Sequence, residues 1–107
     1  MEFNSVVRKR KSVRSFSVKK VSWKSVLDAI EIANQGPFAG NMNNLKFLII
    51  EDQEAIKKIA KFSEQTRVSE APILVVACSD ETHLENTYGE RGRVYSRQQA
   101  GAAIYAF

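Results

Sequence analysis

The chain has 107 residues, 44% hydrophobic and 26% charged, which fits one domain over residues 1–107 and leaves no room for two of ordinary size. No apolar run nears the roughly 20 residues of a membrane span. No secretory h-region opens the chain, and one cysteine (Cys78) with one histidine (His83) can neither staple the fold nor complete a zinc site, so a cytoplasmic protein with neither membrane nor metal partner is expected.

The net charge of +4 is unevenly placed. From Met1 to Lys24 eight basic residues stand against one acidic residue (+7), and from Ser25 onward eight stand against eleven (−3). Such a local cluster predicts an anionic partner: nucleic acid, an acidic lipid surface or the phosphate of a cofactor. In chain order, Asn4 or Ser5 is expected to cap a short helix to about Lys9, which leads into Arg10-Lys11-Ser12-Val13-Arg14-Ser15-Phe16. Ser22 reads as the cap of a helix to about Asn34, because Val26, Leu27, Ile30 and Ala33 recur at the spacing of one buried face. Gly36-Pro37 stops it. The small and polar residues from Gly36 to Asn44 form a loop, and Leu45–Ile50 is apolar, branched and of strand length.

Asp52 is expected to cap a helix from Gln53 to about Phe62, with Ile56, Ile59 and Ala60 opposite Lys57, Lys58 and Lys61. Pro72 opens a second strand, Ile73–Cys78, whose unbroken apolar run predicts a central position and a buried, inert Cys78. Residues from Asp80 to Arg93 read as a long loop or loosely helical stretch. Ser96 is the expected cap of a last helix from Arg97 to Phe107. That helix stops inside its own apolar stretch with no glycine cap and no polar tail, which reads as a domain cut after its central helix.

Nucleophilic and acid–base arrangements find little support. Cys78 and His83 lie at the end of an apolar strand and in a polar stretch, and the acid pairs Glu51-Asp52 and Asp80-Glu81 sit where solvated or capping carboxylates are expected. No dinucleotide-type or Walker glycine pattern is present, and no catalytic side chain is assigned. Two constellations remain. Arg10, Ser12 and Arg14 alternate, so an extended segment would turn two guanidinium forks and a hydroxyl toward one anion. In Pro37-Phe38-Ala39-Gly40-Asn41-Met42-Asn43, small residues would let backbone approach a flat ligand while the asparagine amides donate and accept.

Taken in order with the strand to Ile50, Ala71-Pro72 and its strand, and Gln99-Ala100-Gly101-Ala102-Ala103, these motifs resemble the flavin-dependent nitroreductase family over essentially the whole chain. The family's Arg-Arg-Ser-x-Arg segment is met with Lys11 in second place. Its Pro-Ser-x-x-Asn-x-Gln loop is met with Phe38 for Ser and Asn43 for Gln, and Leu45 stands where an aromatic is common. The resemblance implies an α+β fold, a mixed sheet flanked by helices, present here as its N-terminal portion. It implies an oxidoreductase that takes electrons from NADH or NADPH through FMN and passes them to nitroaromatic, quinone or similar acceptors by a ping-pong scheme. It further implies a homodimer with FMN at the subunit interface. Arg10, Lys11, Ser12 and Arg14 would hold the phosphate and the pyrimidine edge, and Phe38, Ala39, Asn41 and Asn43 would approach from the partner. The alternatives are a catalytically silent fragment, and a basic module binding nucleic acid; the lack of aromatics among the basic residues disfavours the latter.

Overall fold

A computed structural model describes residues 2–107. The order of elements is α1 (Phe3–Lys9), α2 (Trp23–Ala33), β1 (Leu45–Ile50), α3 (Gln53–Phe62), β2 (Leu74–Ser79), α4 (Thr82–Tyr88) and α5 (Glu90–Ala106), with 3-10 turns at Ala39–Asn41 and Thr66–Glu70. β1 and β2 pair antiparallel in a register running from Leu45↔Ser79 to Ile50↔Leu74, and α3 bridges them. The class is α+β, with an antiparallel pair standing for the expected mixed sheet among the described residues.

Local chemistry accounts for the elements that the sequence makes plain. The Asp52 side chain accepts from the Glu54 N–H at 3.2 Å and starts α3. α3 buries Ile56 and Ala60 and leaves Lys57, Lys58 and Lys61 in solvent. Val26 and Ala33 of α2 are buried and pack toward α5, but Leu27 is 53% exposed, so the buried stripe is narrower than its spacing suggested. Ser22 does occupy the cap position of α2, without a side-chain bond. α1 starts earlier than expected, at Phe3 with Glu2 as cap, and buries nothing. Every residue from 6 to 25 is exposed, and the radius of gyration, 15.6 Å, accordingly exceeds the about 13 Å of a compact chain of this length.

Three expectations are corrected or narrowed. β2 pairs with β1 alone among the described residues, its residues through Ala77 are half-buried rather than buried on both faces, and Cys78 is exposed at the strand end rather than in a core. Of the two readings of Asp80 to Arg93, the helical one holds and the loop does not. The stretch forms α4 and the first turn of α5, divided at Gly89, whose φ of 63° is open to glycine and strained for other residues. Ser96 does not cap the last helix; it lies fully buried in the middle of α5. The apolar signal fails here for a clear reason: α4 buries a single apolar side chain, Leu84, and α5 buries Gly92, Ser96, Gln99 and Ala103 instead of large apolar residues. The core thus sits between the α4–α5 pair, α2 and the sheet, with the Phe47 ring stacked on Phe107 at 6.4 Å.

Candidate functional site

The loop between α2 and β1 owes its shape to long-range polar contacts. Gly40 and Asn41 both take left-handed backbone, with φ of 58° and 57°, so two successive residues lie where L side chains are strained. Gln99, 4% exposed, reaches this loop from α5. Its Oε1 accepts from the Ala39 N–H at 3.0 Å, and its Nε2 donates to the Met42 carbonyl at 3.1 Å and to Asn44 Oδ1 at 2.7 Å. Asn44 carries the network onward: its Nδ2 donates to Ser96 Oγ at 3.0 Å, to the Asp80 carbonyl at 2.7 Å and to Ser79 Oγ at 3.2 Å. Side chains of α5 and β2 and the Asp80 backbone carbonyl of the β2–α4 junction therefore meet in one amide-centred cluster under the loop. No buried side-chain polar atom among the described residues lacks a partner.

This arrangement divides the loop into committed and outward groups. The Ala39 N–H is held inward by Gln99. Asn43 closes the loop: its Nδ2 donates to Asn34 Oδ1 at 3.0 Å and its Oδ1 accepts from the Leu45 N–H at 3.0 Å. The Asn41 side chain is exposed and makes no hydrogen bond among the described residues, and the Phe38 side chain is half-buried. Asn41 and Asn43 border a cavity of about 460 Å³ together with Lys46, Asp80 and His83. The Thr82 N–H donates to Asp80 Oδ1 at 3.0 Å, and this bond is the chief reason that the Asp80 carboxyl titrates below its ordinary 3.8; Lys46 and His83 add smaller effects in the same direction. Asp80 is therefore a turn-closing carboxylate at the start of α4, the role expected of an acid in that place.

The basic segment has a different setting. Arg10, Lys11, Ser12 and Arg14 are all exposed. Arg10 leaves α1 with extended φ and ψ of −61° and 129°, and residues 10–22 form no helix or strand. Arg14, with Val13 and Phe16, walls a cavity of about 330 Å³ whose other side is the turn after α3, including Arg67, Thr66 and Gln65. Two guanidinium groups thus line one concave site, and none of the ion pairs among the described residues uses Arg10, Lys11, Arg14 or Arg67. Glu64 lines the same cavity and forms no ion pair with either arginine; two guanidinium forks against one carboxylate leave the wall net positive, and paired forks suit phosphate oxygens. By that chemistry the site fits the phosphate of a flavin nucleotide.

Within one chain the two constellations stay apart: Arg14 and the Asn41–Asn43 loop border separate cavities. Sequence reading missed Arg67, a lone arginine in a polar turn, and it missed Asn44, Ser96 and Gln99 as the loop's anchors. A pattern of polar residues facing inward at α5 positions 96 and 99 would have been the signal, and it runs against the usual apolar stripe. No helix among the described residues is long and apolar enough to cross a membrane.

Comparison with known proteins agrees with this architecture. The model of the Nitroreductase family matches residues 7–66, a span holding both the basic segment and the loop. Spy0809 of Streptococcus pyogenes, named for an NAD(P)H nitroreductase, is 28% identical over 81 residues, which are 75% of this chain and 40% of that protein. The solved structure of NfrA2 from B. megaterium superposes with a TM-score of 0.84 at 17% identity, covering 96% of this chain and 47% of that one. The NADPH:FMN oxidoreductase of Vibrio harveyi, solved with NAD+, gives a TM-score of 0.81 at 14% identity, covering 96% and 48%. These structural likenesses establish the fold, and this chain spans less than half the length of each of these three proteins.

Proposed function

Since the chain belongs to the nitroreductase family, we propose that it is the FMN-binding part of a cytoplasmic oxidoreductase that uses NADH or NADPH to reduce small organic acceptors such as nitroaromatics and quinones in a ping-pong scheme. The observation that carries this reading is the cavity shared by Arg14 and Arg67, beside the exposed Arg10, Lys11 and Ser12. Arg14 and Arg67 would hold the phosphate; Arg10, Lys11 and Ser12 would face its remaining oxygens and the pyrimidine edge of the isoalloxazine. When bound, the flavin supplies the two-electron chemistry, and the protein's share is binding, orientation and electrostatics.

The separation of the two constellations within one chain supports a homodimer. In it the loop of one protomer would close over the arginines of its partner. Phe38 and the Asn41 amide are the loop groups suited to touch the flavin. Ala39 and Asn43 would shape that approach, since the Ala39 N–H and the Asn43 amide are already engaged within their own chain. The wide cavity beside Asn41, with Lys46 and His83 on its rim, offers room for a small acceptor.

Flavin fluorescence quenching, titrated with FMN and with riboflavin, tests the phosphate contact directly. Hydrogen bonds to a charged group contribute about 1.5–3 kcal/mol, so Arg14→Ala or Arg67→Ala should weaken FMN roughly 10- to 100-fold while leaving riboflavin nearly unchanged. Equal affinity of the unaltered chain for FMN and riboflavin would sink the assignment. NADH- or NADPH-dependent bleaching of an added quinone then reports the reaction class.

A further inference from the structure

The geometry points to Gln99 as a positioning residue: an amide on α5 that holds the Pro37–Asn44 loop in its ligand-facing shape without itself touching a ligand. This inference rests on the flavin reading of that loop for its functional consequence, but its structural half stands separately. Gln99 is 4% exposed and uses both ends of its amide across the loop. It accepts from Ala39 at 3.0 Å at one side of the left-handed pair Gly40-Asn41 and donates to Met42 at 3.1 Å at the other. A single side chain thus spans both left-handed residues, of which Asn41 carries a side chain that the conformation disfavours. Two local bonds, Asn41 N–H to the Phe38 carbonyl at 3.0 Å and Met42 N–H to the Ala39 carbonyl at 3.1 Å, close the turn, and Gln99 satisfies the two groups they leave over, the Ala39 N–H and the Met42 carbonyl, adding the tertiary hold that a left-handed non-glycine residue needs in order to persist.

The consequence for ligand binding follows from populations. A loop that visits the binding shape for a fraction of the time binds with an affinity reduced by that fraction. Without the Gln99 amide, Gly40 and Asn41 can relax to right-handed or extended backbone, swinging the outward-facing Asn41 side chain away from its present place. Asn44, held by Gln99 and Ser96 together, ties the same device to the start of β1. Glutamine meets the pattern and neither acid nor amine does: one acceptor and a two-proton donor are needed on one planar group.

Gln99→Met keeps the length and buries no charge but offers no hydrogen bonds; Gln99→Glu keeps the acceptor toward Ala39 and loses both donors. Leu84→Val, which thins the α4–α5 packing but leaves every hydrogen bond between Gln99 and the loop in place, serves as a control for general loss of stability. Hydrogen exchange of the Ala39 amide in the ligand-free chain, read by NMR, reports the clamp, and FMN quenching reports its effect. We expect Ala39 exchange to accelerate in Gln99→Met, to stay slow in Gln99→Glu, and FMN affinity to fall roughly tenfold in both but not in Leu84→Val. Unchanged Ala39 exchange in Gln99→Met overturns the clamp. Equal loss of FMN affinity in Leu84→Val at matched melting temperature, or unaltered affinity in both Gln99 variants, overturns the positioning role. If the unaltered chain ignores FMN while Ala39 responds to Gln99→Met, the clamp stands and the flavin reading falls.

Discussion

Gly92 brings α5 directly against the backbone of α4, and replacing it tests whether the helix pair that supports the loop is packed as described. A Cβ built on Gly92 would collide with the Leu84 carbonyl and come within 2.5 Å of the Glu85 nitrogen, where ordinary contact begins at 3.4 Å. Both obstacles are backbone, so no side chain can swing aside and the helices must part by roughly 1 Å. Overpacking of this kind costs about 1–3 kcal/mol, and prising Leu84, now 0% exposed, partly into water adds some of the about 1.5–3 kcal/mol that its full burial contributes. Alanine's better helix propensity returns about 1 kcal/mol, so Gly92→Ala should lose about 1–4 kcal/mol net, a sizeable share of the 5–15 kcal/mol typical of a domain. At about 4–8 °C per kcal/mol for a domain of this size, melting should fall by about 4–32 °C. Gly101, on the same helix with nothing within 4 Å of its Cβ position, is the internal reference: Gly101→Ala should gain up to about 1 kcal/mol. Paired thermal and urea denaturation of the two variants decides the matter. A Gly92→Ala protein as stable as Gly101→Ala would refute the close crossing and, with it, the platform on which Ser96 and Gln99 meet the loop.

Asp52→Ala should remove the α3 cap and cost about 1 kcal/mol in urea unfolding; an unchanged midpoint would mean that the Glu54 N–H finds water equally well. Asp80 carries a pH prediction. Its folded carboxyl titrates below the ordinary 3.8, so the stabilisation from its charge is complete above that value and disappears as pH falls through the lower folded one. The difference in melting temperature between the unaltered chain and Asp80→Asn should therefore be largest above pH 3.8 and close in stronger acid, and a difference that ignores pH would contradict the Thr82 bond as its source. Gly40→Ala should be destabilising through both the 58° φ and the Tyr88 hydroxyl that lies 2.7 Å from the new Cβ, with near-ultraviolet circular dichroism of Tyr88 and Tyr95 as the local readout. An unaltered aromatic signal would argue against that contact.

What could be read from the chain alone divides along a physical line. Elements whose cause is local were legible: Asp52 before an amphipathic run, the branched run of β1, and the small, polar stretch that becomes the loop. Boundaries set by tertiary contact were not. The two-residue left-handed step at Gly40-Asn41, the break at Gly89 and the buried Ser96 depend on partners far away in sequence. The sequence also carried the family through the basic segment and the loop, because exposed, unpaired cations and strained small residues keep their chemical identity whatever packs around them.

The candidate site shows the same division, and it bears on how the loop acquired its roles. Arg14 was legible as a cation in a cluster; Arg67 was not, because a solitary arginine in a turn acquires meaning only when folding sets it on the same cavity wall. On α5, Val94, Ile104 and Tyr105 are 50%, 53% and 61% exposed while Ser96 and Gln99 are buried, the reverse of an amphipathic stripe. Burying an amide costs free energy unless its hydrogen bonds are made, so an apolar residue at 99 would be the easier way to fill that space. Glutamine there is explained by what it holds: the carbonyl and N–H groups of a backbone that strands and helices leave unpaired. A loop that must present its side chains outward cannot satisfy its own backbone by folding into regular structure, and the polar core of α5 is the physical counterpart of that requirement.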